Sequence, residues 1–100
     1  MPWGFQRAAN YRIQGAGDSV AIGDLNGDRH PDLAVGSFQH DGVSVLLGRG
    51  KGRFRHALKY RAHGYPASVA IGDLNGDGRP DLVVANVASH DVSVLLARRP

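Results

Sequence analysis

The chain has 100 residues, room for one ordinary domain and too few for two independent cores. Hydrophobic residues make up 42% and charged ones 21%, a globular balance that excludes a disordered tail or a fibre. The formal net charge is +3, there is no Cys, and no apolar run reaches the roughly 18 residues that span a bilayer, so disulfide frameworks, thiolate chemistry and a membrane helix are all excluded.

At the start, Met1-Pro2-Trp3-Gly4-Phe5-Gln6-Arg7 lacks the apolar core of a secretory signal, so any export signal is expected to have been removed or never to have existed. The next segment, 5–11, is a copy of a later one. Phe5, Ala8, Tyr11, Arg12 and Gly15 recur as Phe54, Ala57, Tyr60, Arg61 and Gly64. Ser19-Val20-Ala21-Ile22-Gly23-Asp24-Leu25-Asn26-Gly27-Asp28 recurs without change from Ser68 to Asp77, and Val43-Ser44-Val45-Leu46-Leu47 recurs from Val92 to Leu96. The chain therefore reads as two units, 1–49 and 50–100, with a period typical of propeller blades and of some helical repeats. Short Val-rich runs bounded by Gly, Asn, Asp and Pro decide for strands.

In chain order the expected strands are a leading one at 5–11, then 19–23, 32–36, 43–47 and 54–60, then 68–72, 81–85 and 92–96. Runs such as Val20-Ala21-Ile22-Gly23 and Leu82-Val83-Val84-Ala85 do not alternate apolar with polar, so these strands are expected to be buried on both faces, as in a blade sandwiched between neighbours. The fold class is all-β, a β-propeller with two four-stranded blades per chain. The second unit stops before its own fourth strand while a spare copy leads the chain. Several copies are therefore expected to associate head to tail, each lending its leading strand to the last blade of the next. Three or four chains would give roughly six or eight blades, within the usual range.

The acids carry the chemistry. All nine are Asp, and six fall in two segments: Asp24, Asp28, Asp32 and Asp73, Asp77, Asp81. In Asp73-Leu74-Asn75-Gly76-Asp77-Gly78-Arg79-Pro80-Asp81, alternate side chains of a tight loop can converge. Asp73, Asn75, Asp77 and Asp81 then supply side-chain oxygens and Arg79 its backbone carbonyl. The first copy offers Asp24, Asn26, Asp28, the carbonyl of His30, and Asp32. Hard oxygen ligands in a flexible cage favour Ca2+ over Mg2+, so two Ca2+ per chain are expected. Each would offset the repulsion of its carboxylates and make the working protein more basic than its formula. An EF-hand is excluded: its position 12 needs Glu and is Val35 or Val84 here, and strand-like sequence flanks both loops. Position 6 is Gly78 in the second loop but Arg29 in the first. If it takes a positive φ, Arg costs about 1 kcal/mol or more, and the first loop binds more weakly.

On Ser-Val-Ala-Ile-Gly-Asp-Leu-Asn-Gly-Asp-Gly-Arg-Pro-Asp-Leu at 68–82, Val-Ser-Val-Leu-Leu at 92–96 and the Gly64-Tyr65-Pro66-Ala67 entry, the chain resembles the FG-GAP/VCBS repeats of integrin-α-like propellers. The resemblance implies calcium in the hairpin between the first two strands of a blade, an extracellular or cell-surface setting, and roles in adhesion, ligand display or carbohydrate binding. The first unit departs at Gly15-Ala16-Gly17-Asp18, which lacks the Pro, and at Arg29. Members usually carry more blades in one chain, so two also fit an excised or engineered piece.

The leading functional expectation is a non-enzymatic calcium-binding scaffold or interaction module, whose partners are further copies of itself and a protein or carbohydrate ligand. The alternative is a lectin-like propeller using Trp3, Tyr11, Tyr60, Tyr65, His40, Asp41, His90 and Asp91, although aromatic residues mainly supply buried area. Arg49, Lys51, Arg53, Arg55, Lys59 and Arg61 form a basic stripe that could meet nucleic-acid phosphates. With no recognition helix or stacking motif, they read better as charges that protect an outer strand from wrong pairing. No nucleophile elbow, zinc-protease helix or phosphate loop is present, and the acids outside the loops, Asp18, Asp41 and Asp91, are too few for paired-carboxylate catalysis.

Overall fold

The computed structural model describes residues 3–37 and 41–98, and all regular structure among them is β. Among the described residues nine strands run in chain order: β1 (Gly17–Gly23), β2 (Asp32–Ser37), β3 (Gly42–Leu46), β4 (Gly48–Gly50), β5 (Arg53–Phe54), β6 (Leu58–Arg61), β7 (Pro66–Gly72), β8 (Asp81–Asn86) and β9 (Asp91–Leu95). They form a four-stranded sheet in the order β1-β2-β3-β6, a two-stranded ribbon β4-β5, and a three-stranded sheet β7-β8-β9, all antiparallel. Among the described residues no sheet closes into a barrel.

The two large sheets repeat each other to the residue. Ala21 faces Ala34 and Ile22 faces Leu33 in the first; Ala70 faces Val83 and Ile71 faces Leu82 in the second. Both first strands carry a bulge at the same place, between Gly17 and Ser19 and between Pro66 and Ser68.

Cross-strand partners share a sheet face, so the registers define which side chains meet. Ser19, Ala21, Gly23, Ala34, Gly36, Val43, Val45, Leu58 and Tyr60 lie on one face of the first sheet. That face packs on Val69, Ile71, Leu82 and Val84 of the second, giving a buried cluster of Ala34, Val43, Val45, Val69, Leu82 and Val84. Each Val or Leu so buried contributes about 1.5–3 kcal/mol. Small residues set the approach: a Cβ on Gly36 would meet Val69 Cγ2 at 3.1 Å, and one on Gly23 would meet Ile71 Cδ1 at 3.3 Å. The Val69 amide donates to Ser19 Oγ across the same seam, at 3.3 Å.

Three sequence expectations need correction. Segment 5–11 forms no strand in the single chain; its edge partner would be a β3-like strand, and β3 already holds β6. The second sheet accordingly has three strands, so the chain holds one four-stranded and one three-stranded blade-like sheet. The expected strand 54–60 is broken in two: Lys51 and Gly52, both at positive φ, make a tight turn that folds β5 back on β4, and pairing with β3 resumes at β6. Finally, burial on both faces holds for much of β2 and β3 but not for the outward faces of the pair of sheets, where Val20 and Ile22 at one end and Val92 and Val94 at the other are exposed.

Candidate metal centre

Each Asp-rich segment is the hairpin loop joining the first two strands of its sheet, β1 to β2 and β7 to β8. The loops wind around their first acid. Asp24 Oδ1 accepts from the Gly27 and Asp28 amides at 2.8 and 3.3 Å, and Asp24 Oδ2 from the Arg29 amide at 2.8 Å. Asp73 does the same with Gly76 and Gly78, at 2.9 and 2.8 Å. Asp28 Oδ1 accepts from the His30 amide and Asp77 Oδ1 from the Arg79 amide, each at 2.9 Å. Gly27 and Gly76 take the positive φ this winding needs. Position 6 is also left-handed in both loops, with Arg29 at φ 68° and Gly78 at φ 79°.

The backbone donors hold the two opening acids ionised. The Arg29 amide lowers the Asp24 carboxyl below its ordinary value, and the Gly78 amide does so for Asp73.

The closing acids are different. Asp32 and Asp81 are buried, and each ties its loop to a distant strand end. Asp32 accepts from the Leu25 amide at 2.7 Å and the Gly48 amide at 2.6 Å; Asp81 accepts from Leu74 at 2.8 Å and Ala97 at 2.7 Å. This staple from loop to third strand was not read from the sequence, where position 9 appeared only as the last oxygen of the cage. Its signal was the recurrence of Pro-Asp-Leu at the mouth of both second strands.

The structure brings together the carboxylates that the spacing singled out. Asp24, Asp28 and Asp32 have ligand oxygens within 4.8 Å of one another, as do Asp73, Asp77 and Asp81. Asn75 reaches into the second group, with one amide atom 3.0 Å from Asp77 Oδ1 and 3.2 Å from Asp73 Oδ1. Nitrogen in that place donates to both carboxylates. Turned so that its oxygen points there, the same side chain would present an oxygen to a metal ion instead. The clustered carboxylate oxygens could hold a metal ion. The His30 and Arg79 amides are used within their loops, and among the described residues no hydrogen bond involves their carbonyls or the Asn26 side chain.

The remaining candidates have local partners or lie apart. Trp3 packs edge-on against Phe5 and Tyr11 against Phe54, with ring centroids 5.9 and 5.4 Å apart. Asp41 accepts through its carbonyl from the Ala62 amide at 2.8 Å and through Oδ1 from Tyr65 at 3.5 Å. His90 is an exposed turn residue at φ 58°, and His40 lies outside the described residues. Asp91 sits in a polar cluster that the repeat had hidden, because its members have no like residue in the first unit: Ser89 Oγ donates to it at 2.6 Å, Asn86 Nδ2 at 3.1 Å, and His63 Nδ1 lies at 2.9 Å. The Ser89 hydroxyl, then His63, lowers its carboxyl. Ser89 and His63 both bind the acid rather than each other, so no activated nucleophile results.

A family model described as FG-GAP-like repeat matches residues 24–84, from the first Asp of the first loop into β8. The chain belongs to this FG-GAP repeat family, in which the repeats build propeller-like, generally non-enzymatic and typically extracellular scaffolds. No curated protein and no solved structure matches the chain. No helix among the described residues is long and apolar enough to cross a membrane.

Proposed function

We propose that the chain is a non-enzymatic propeller-blade interaction module whose two Asp loops bind Ca2+ as a structural ion. The observation that carries this reading is the paired carboxylate clusters, each on a loop stapled by a buried Asp to the end of a third strand. The ion would sit among Asp24, Asn26, Asp28 and Asp32, and among Asp73, Asn75, Asp77 and Asp81, with the His30 and Arg79 carbonyls completing each shell. It supplies positive charge where three carboxylates gather, and so fixes each hairpin. An extracellular or cell-surface setting, with millimolar calcium, suits loops of this exposure.

An ion that binds only the folded chain stabilises it by RT ln(1 + [L]/Kd), about 2.7 kcal/mol at a hundredfold excess over Kd. Thermal melts of metal-free protein should therefore rise with added Ca2+, and less for Asp73→Asn/Asp77→Asn. Titration calorimetry that finds no Ca2+ uptake by the folded wild-type chain, with an unchanged melt, overturns the reading.

A further inference from the structure

The seam between the two sheets has one half left over at each end of the molecule. Within the chain, Gly23 abuts Ile71, and the Ser19 hydroxyl accepts from the Val69 amide. The copies of Gly23 and Ser19 are Gly72 and Ser68 on the outer face of the second sheet, where a Cβ on Gly72 would meet nothing within 4 Å. The copies of Ile71 and Val69 are Ile22 and Val20 on the outer face of the first sheet, 70% and 58% exposed. Socket and plug are thus both present and both open, at opposite ends, in the chemistry that the chain already uses to join its own sheets.

The edge of the second sheet is open in the same way. In the first sheet β3 takes β6 as its outer strand, with Gly42 opposite Arg61, Val43 opposite Tyr60 and Val45 opposite Leu58. Among the described residues no strand pairs with the outer edge of β9, and Val92 and Val94 stand 62% and 52% exposed. Beside it runs a cleft of about 1110 Å³, lined by Leu95, Leu96 and Ala97 on one side and by Val45, Leu58 and Tyr60 on the other. The residues that repeat β6 are Ala9, Asn10, Tyr11 and Arg12, which form no strand in the single chain.

We infer that a second copy of this chain covers both surfaces. Its residues 9–12 add to β9 as an antiparallel fourth strand, with Tyr11 opposite Val92, Ala9 opposite Val94 and Arg12 opposite Asp91, an ion pair across the ladder. Its Val20 and Ile22 seat on Ser68, Ala70 and Gly72, and its Val20 amide donates to Ser68 Oγ. The contact continues the interface already built between the two sheets and is independent of what fills the Asp loops. Tyr11 leaves Phe54 to make it. The contact is heterologous, so it repeats from copy to copy, and the propeller geometry of the repeats requires that it close a ring rather than run on as a filament.

The chain has no Cys, which makes thiol trapping clean. Val43→Cys/Tyr60→Cys, an observed pair, serves as the positive control and closes within one chain. A mixture of Tyr11→Cys and Val92→Cys single variants, bridged by a short bis-thiol reagent, should give covalent dimers, and the double variant a ladder of multimers. Val92→Cys mixed with Ala9→Cys, two residues out of register, should give at least tenfold less. The native mass of the unmodified chain should be roughly three or four times that of one copy, for roughly six or eight blades. Val20→Asp/Ile22→Asp, which alters side chains already in water in the single chain, should keep the fold by circular dichroism and lose the assembly. A folded wild-type chain that stays monomeric up to millimolar concentration, equal trapping in and out of register, or an assembly unaffected by Val20→Asp/Ile22→Asp overturns the inference. Because none of these measurements requires calcium, their failure is distinguishable from failure of the calcium reading.

Discussion

The Ala97 amide donates to Asp81 Oδ1 at 2.7 Å, joining the end of the third strand to the mouth of the second across sixteen residues. The other oxygen of the same carboxylate accepts from Leu74, inside the Asp loop. Asp81 is 1% exposed, so its carboxylate relies on these two amides for its partners. Asp81→Ala should therefore destabilise the metal-free chain by about 2–4 kcal/mol, the loss of two hydrogen bonds to a charged acceptor. Asp77→Ala, on an exposed loop residue, should cost well under half as much. Urea denaturation of both variants in chelator measures the difference, and equal losses would refute the staple.

Gly48 occupies the corresponding place in the first sheet, donating to Asp32 Oδ1 at 2.6 Å. There a Cβ would be driven into the Pro31 carbonyl oxygen, which is backbone and cannot swing aside. Gly48→Ala is expected to destabilise the fold by about 3 kcal/mol or more, at the upper end for an overpacked site. Gly52→Ala tests the β4-β5 turn separately: a Cβ there meets nothing, and only its positive φ opposes the change. It should cost about 1 kcal/mol. Melting temperatures of the two variants should separate clearly.

The repeat made most of this architecture legible. Identical residues at 19–28 and 68–77 set the first strand of each large sheet and the opening of its loop, and loop positions 1, 5 and 9 placed the carboxylates that do converge. What it hid is where the units differ. Gly48-Arg49-Gly50-Lys51-Gly52 has strand propensity too low to continue an outer strand, but it holds the turn chemistry for a ribbon of its own, and 54–60 split as a result. Segment 5–11 has the residues of a strand, yet a strand is defined by its partner's edge. The Asp91 cluster depends on His63, Asn86 and Ser89, none of which the first unit repeats, so self-comparison could not find it.

Asp24, Asp73 and Asp91 have folded pKa values below the ordinary 3.8 of the group, the first two through backbone amides of their loops and the third through Ser89 and then His63. A depressed carboxyl adds stability at pH above its unfolded value and loses it as pH falls through the folded one. The metal-free chain should be level in stability above about pH 5 from these groups and weaken progressively below about pH 4. Denaturation midpoints across that range should fall less steeply for Asp24→Asn/Asp73→Asn/Asp91→Asn. Identical slopes would show that these acids titrate alike in both states.

Arg29 sits at φ 68°, the conformation its counterpart Gly78 adopts at 79° without a Cβ. An L residue there carries a steric cost of about 1 kcal/mol, and the residue is exposed. The bond that matters, from the residue 29 amide to Asp24 Oδ2, is backbone and survives substitution. Arg29→Gly should therefore stabilise the metal-free chain by up to about 1 kcal/mol, less the entropy glycine adds to the unfolded state. The same change should raise the affinity of the first loop toward that of the second, read as two steps of lanthanide luminescence merging into one. Gly78→Arg should do the reverse at the second loop. If the two loops of the wild-type chain already titrate as one, or if Arg29→Gly leaves their separation unchanged, backbone strain at position 6 is not what distinguishes them.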